Sequence, residues 1–183
     1  GQKMTVSDLI LESGAQRITV NSSKLNSDDL VVDLQELDMY GLSNYIDFNS
    51  MKLFGRINGK IELNNLFTSP SADAVLYSSN AIRINDDTVG SIFANIHYDV
   101  NQQVLRLDPG TRIIRDQQSS GLTGKIDLGD ERMQVKATLE SADISFLNEF
   151  ISDYVRDLHG KVTGNLNLDG TFDRPEVSGR LLL

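Results

Sequence analysis

The chain has 183 residues, 39% apolar and 23% charged, with only three prolines, a composition that suits an ordered chain and leaves little room for long disorder. Its formal charge is −9 and its basic residues are scattered, which argues against nucleic acid as a partner. It has no cysteine, so disulfides, thiolate metal sites and a cysteine nucleophile are excluded, and no apolar run reaches the ~18 residues that a membrane-spanning helix needs.

In chain order, a short apolar run from Met4 to Leu11 precedes Gly14, and Arg17 to Val20 resumes as strand. Ser22 to Asp29 is a polar turn region, and Leu30, Val32 and Leu34 alternate as the next strand. Met39, Leu42, Ile46 and Leu53 fall near helical spacing, but Gly41, Asn44, Asn49 and Ser50 are poor helix formers, so 38–53 reads as a helix or an irregular turn. Gly55 to Leu63 alternates with period two, the mark of a half-buried strand. Asn64-Asn65 suits a hairpin turn, with Leu66 and Phe67 opening the next strand. Further strands are expected over 72–77, 81–84, 90–100, 103–107 and 112–114, then 121–128 after a polar loop at Gln117–Ser120, and 133–140. Ile144, Leu147, Ile151, Tyr154, Val155 and Leu158 form an amphipathic helix capped by Asp143 and ended by Gly160. Val162, Leu166 and Leu168 line one face of the strand that follows, Asp169-Gly170 is the strongest hairpin dipeptide in the chain, and Val177 to Leu182 returns.

A repeat with a spacing of 105 residues runs through this pattern. Gly55 matches Gly160, Gly59 matches Gly164, Leu63 matches Leu168, Phe67 matches Phe172 and Pro70 matches Pro175, with Leu34 and Leu139 ahead of them. The repeat covers 30–76 and 135–181. Repeats stack along an axis. The expected fold is therefore all-β, with one or two short amphipathic helices: an elongated sheet curled over itself around a lengthwise apolar groove, in preference to a closed sandwich. The apolar ending Leu181-Leu182-Leu183 reads as a cut through a strand, so 1–183 is expected to be a fragment of a longer repeat-built β domain.

No catalytic constellation stands out, so the chain is expected not to be an enzyme, and no cofactor is expected. His97 and His159 sit on polar strand faces without ligand-rich spacing. Asn165 to Gly170 resembles the start of a calcium loop, but its leucines alternate like a strand and the acidic residue that should close the loop is missing. Gly121 to Lys125 lacks the spacing of a phosphate loop. The acidic pairs Asp28-Asp29, Asp86-Asp87 and Asp130-Glu131 read as solvated turn tips.

The second copy carries Gly160, Gly164, Leu166, Leu168, Asp169-Gly170-Thr171, Phe172, Pro175 and Ser178-Gly179-Arg180-Leu181, and the first copy keeps Gly55, Gly59, Leu63, Phe67 and Pro70. This pattern resembles the repeat of the TamB and AsmA-like group of large bacterial envelope proteins. The resemblance implies a long taco-like β-sheet in the periplasm of a Gram-negative bacterium, anchored in the inner membrane by a segment outside 1–183. It also implies a part in moving phospholipid toward the outer membrane and in outer-membrane biogenesis. The implied partners are phospholipid acyl chains, neighbouring repeats of the same chain and an outer-membrane β-barrel protein. Candidate groove-lining residues are Ile57, Ile61, Leu63, Ile92, Ile96, Leu105, Leu107, Leu122, Ile126, Leu128, Val135, Leu139, Val162, Leu166 and Leu168. A structural or adhesive β-solenoid segment with a closed core is the alternative, and a carbohydrate-binding sandwich, which would need an exposed aromatic platform, is a weaker third.

Overall fold

The computed structural model describes residues 5–26, 28–43, 52–144 and 159–183. The alternating stretches become β1 (Leu9–Ser13), β2 (Gln16–Ser22), β3 (Leu30–Asp38), β4 (Leu53–Phe54), β5 (Arg56–Asn64), β6 (Ser71–Ser78) and β7 (Ile82–Ile84). They continue as β8 (Asp87–Asp99), β9 (Val104–Leu107), β10 (Arg112–Arg115), β11 (Gln118–Asp127), β12 (Arg132–Asp143), β13 (Lys161–Thr171) and β14 (Arg174–Leu182). One short helix, α1 (Met39–Ser43), follows β3. The 14 strands form a single sheet, and every pairing in it is antiparallel.

The sheet is an up-and-down meander of eleven rows from β1 to β14. β4 extends the row of β5, and β7 extends that of β6, because β4 pairs with β7 and β7 with β8. β9 and β10 share one row between β8 and β11. Asp108-Pro109-Gly110 interrupts that row, and Pro109 has no N–H to offer a ladder. Thr111, only 5% exposed, fills the break. Its Oγ1 accepts from the Asn95 N–H at 3.0 Å and donates to the Asn95 carbonyl at 3.0 Å. Thr111→Val keeps the shape but leaves the Asn95 N–H without its acceptor. An unmet buried donor costs about 1–3 kcal/mol, so the urea midpoint is expected to fall at unchanged slope.

The 105-residue repeat is reproduced in register. Leu34 lies opposite Gly59, and Leu139 opposite Gly164. One extra residue then enters β3 and β12, so that Leu37 meets Ile57 and Ala142 meets Val162. Glu36 and Ser141, 105 apart, take φ of +49° and +46° in these bulges. Their N–H groups donate to Asn58 Oδ1 at 2.9 Å and Thr163 Oγ1 at 3.0 Å, again 105 apart. The next turn is tied alike, Met39 N–H to the Gly55 carbonyl at 3.0 Å and Ile144 N–H to the Gly160 carbonyl at 3.2 Å.

Two further copies lie between these. Leu76 stands opposite Ala94, and Leu107 opposite Gly124. The strands that follow each leucine share a small residue, an apolar residue two on, and a second small residue two beyond that. They read Gly55-Arg-Ile-Asn-Gly59, Gly90-Ser-Ile-Phe-Ala94, Ser120-Gly-Leu-Thr-Gly124 and Gly160-Lys-Val-Thr-Gly164, at offsets of 35, 30 and 40 residues. The long repeat is thus three hairpin units of unequal length.

Several expectations need correction. Asp169 and Gly170 are not a turn: they pair with Glu176 and Pro175 inside the hairpin, whose turn is Phe172-Asp173. β12 begins early enough to pair Arg132 with Thr171, and the Phe172 N–H reaches the Glu131 carbonyl at 2.9 Å, so β13 runs past the dipeptide. Leu66 and Phe67 do not open a strand. They lie in a turn closed by Thr68 and Ser69 N–H groups on the Asn65 carbonyl at 3.0 and 3.2 Å, and β6 starts at Ser71. Gln118 to Ser120 are strand rather than loop, paired with β10. The expected helix over 144–158 lies, from 145 onward, outside the described residues, and Asp143 is the last residue of β12.

Candidate functional site

Directly paired residues of an antiparallel sheet point to the same face. Following the pairs, Val20 meets Val32, Val32 meets Ile61, Ile61 meets Ala74 and Ala74 meets Ile96. Ile96 meets Leu107, Leu107 meets Gly124, Gly124 meets Val135, Val135 meets Leu168 and Leu168 meets Val177. One apolar face therefore runs without interruption from β2 to β14. Fourteen of the fifteen candidate lining residues lie on it by pairing or by strand alternation, and Leu128 falls in the turn just past β11. Eleven of them are half-buried, Leu128 is 47% exposed, and Ile57, Leu139 and Val162 are buried at 7%, 4% and 2%. Those three are packing residues. Leu139 and Val162 join Ile144 in a buried cluster at the second bulge, against Ala137, Ala142, Leu166 and Leu181.

The same face also carries Val32, Leu34, Ala74, Leu76 and Ala137, which the sequence reading left out of the lining. The alternation of Leu30, Val32 and Leu34 was the signal for the first two. The described residues form one sheet with a single short helix, α1.

The opposite face is polar. A hollow of about 910 Å³ there is lined by Asp33, Lys60, Asp73, Val75, Tyr77 and Asn95 among others. Tyr77 is 49% exposed, and His97 Nδ1 lies 2.7 Å from Asp73. At the first bulge, Glu36 accepts from Asn58 Nδ2 at 3.0 Å, from Ser79 Oγ and from Arg56 at 3.4 Å. The Ser79 hydrogen bond, then that of Asn58, holds the Glu36 carboxyl below its ordinary value of 4.5. A depressed folded value means that the contribution is complete above 4.5 and is lost as pH falls through the lowered value. Glu36→Gln is thus expected to be less stable than the parent at neutral pH and to converge with it in acid, as read from unfolding midpoints across a pH series.

Among the described residues no cluster of His, Asp and Glu could hold a metal ion, and no helix is long and apolar enough to cross a membrane. No protein-family model, curated protein or solved structure matches the chain.

Proposed function

We propose that this chain is a non-enzymatic segment of a TamB or AsmA-like envelope protein, and that its apolar face shelters phospholipid acyl chains on their way across the periplasm. The observation that carries the reading is the continuous, half-buried aliphatic face of one sheet. Soluble proteins rarely leave so broad an apolar surface without an occupant. Leu, Ile, Val and Ala dominate it, a lining that suits flexible hydrocarbon. Each methylene moved out of water onto such a surface gains about 0.8 kcal/mol. With no charged residue along the paired rows, a chain can slide from row to row without a deep trap. A carrier of this kind works by surface and by no single residue.

The test is equilibrium binding of a fluorescent short-chain phospholipid against its free glycerophospho headgroup. The acyl-bearing ligand is expected to bind saturably and the headgroup alone not at all. Equal binding of the two, or of neither, sinks the reading. A passive structural segment is the second reading, favoured by the packed cluster of Leu139, Ile144 and Val162, and it predicts no binding.

A further inference from the structure

The polar face carries aromatic rings as well as charge. Tyr77 and Phe93 are directly paired there, on the interior strands β6 and β8. The Arg112 guanidinium covers the Phe93 ring, 4.4 Å from its centroid. Tyr77 differs: its side chain is exposed, and among the described residues no stacked ring and no cation lies against it. It lines the hollow on this face, next to the row in which Asp33 meets Lys60, Lys60 meets Val75 and Val75 meets Asn95.

We propose that this hollow binds a neutral oligosaccharide of β-linked, equatorially substituted pyranose rings, with one ring laid on Tyr77. The proposal goes beyond the lipid reading and does not rest on it, because the hollow lies on the opposite face of the sheet. The flat side of such a sugar presents axial C–H groups, whose partly positive hydrogens meet the negative face of an aromatic ring. A volume of about 910 Å³ is near the top of the roughly 300–1,000 Å³ range of small-molecule sites, which leaves room for more than one sugar ring. Around Tyr77, side chains stand free to read hydroxyls. Those of Thr19, Asp33, Gln35 and Asp108, with the Tyr77 hydroxyl, make no hydrogen bond among the described residues. Together they offer donors and acceptors, and a sugar hydroxyl can do both at once. Lys60 and Asp73 are already committed, to Glu62 at 2.6 Å and to His97 at 2.7 Å.

Other occupants fit the hollow poorly. Arg17 and Lys60 stand in its lining against Asp33, Glu62, Asp73 and Asp108, two cations to four carboxylates, so acidic sugars and phosphates are repelled. A bare organic cation would stack on Tyr77 but leave the donors of Thr19, Gln35 and Tyr77 without acceptors, and one exposed ring holds a cation weakly. A peptide strand finds no edge to join, since β3, β5, β6 and β8 are each paired on both sides.

The probes are cellotetraose and N-acetylchitotetraose, titrated into the chain by calorimetry. At least one is expected to bind saturably, and saturation-transfer NMR is expected to mark the axial protons of one ring face. Tyr77→Ala is expected to weaken that binding at least about tenfold, and Tyr77→Phe, which keeps the ring, by no more than about threefold. The double variant Gln35→Ala, Asp108→Ala keeps the ring and removes two polar readers, and it is expected to lose about tenfold as well. Circular dichroism establishes that each variant is folded. Cellotetraose oxidised at C6 to carboxylates is expected not to bind. Binding of neither neutral tetrasaccharide overturns the proposal. So does equal binding of the oxidised form, or an affinity that neither Tyr77→Ala nor the double variant changes. Saturable binding of spermidine without binding of sugar would assign the hollow to cations and overturn it too.

Discussion

Gly124→Ala is expected to lower the unfolding free energy by about 3 kcal/mol or more, given ~1–3 kcal/mol for strain in this region of φ and a similar amount for forced overpacking. Gly124 has φ of +148°, a conformation that L side chains rarely adopt. A Cβ there would lie 2.1 Å from the Gln134 carbonyl oxygen and 2.8 Å from Val135 Cα. Both atoms are backbone of the neighbouring strand, so no side chain can swing aside. Gly164, at the same place in its unit, shows the same approach, 2.1 Å from the Arg180 carbonyl oxygen. Gly121, three residues upstream on β11, meets nothing within 4 Å. Gly121→Ala is therefore expected to stay within about 0.5 kcal/mol of the parent. Urea unfolding of the two variants gives the comparison, and equal effects would mean that the close strand approach is not needed.

Ile126→Asp is expected to weaken acyl-chain binding by roughly fiftyfold while leaving the sheet folded. Ile126 sits mid-face, half-buried, with Leu105 on one side and Met133 on the other. A carboxylate there keeps its water and denies hydrocarbon contact to the methylenes that would lie over it. Loss of about three methylenes at ~0.8 kcal/mol each is near 2.4 kcal/mol, which is the stated factor. Thr123→Asp on the same strand adds the same charge to the opposite, exposed face, next to Lys136. It is expected to leave affinity within about twofold, since a surface charge away from the ligand contributes little. Circular dichroism of both variants separates a binding defect from unfolding.

Much of the sheet was legible in the sequence because each strand alternates and each face is uniform. The 105-residue repeat was visible because both of its copies keep glycine at the two small positions. The intermediate copies were hidden by chemistry: Ala94 and Ser120 do the work of glycine elsewhere, and the unit length varies. Register was not legible at the bulges, where one inserted residue puts Leu34 and Leu37 on the same face despite odd spacing. Asp169-Gly170 misled because hairpin propensity is local, and the longer β12 outweighed it by offering pairing partners up to Thr171. Burial is the other gap. Alternation places Ile57, Leu139 and Val162 on the apolar face, but it does not show that bulge packing closes over them.

A photo-reactive residue placed singly at Ile126 and at Thr123 tests the central claim most directly. The two positions share one strand and face opposite ways, so chain length, charge and expression are matched. With phospholipid vesicles present, or in cells, the account predicts phospholipid adducts at Ile126 and none at Thr123. Adducts only to protein at Ile126, or equal lipid labelling of both positions, would contradict it.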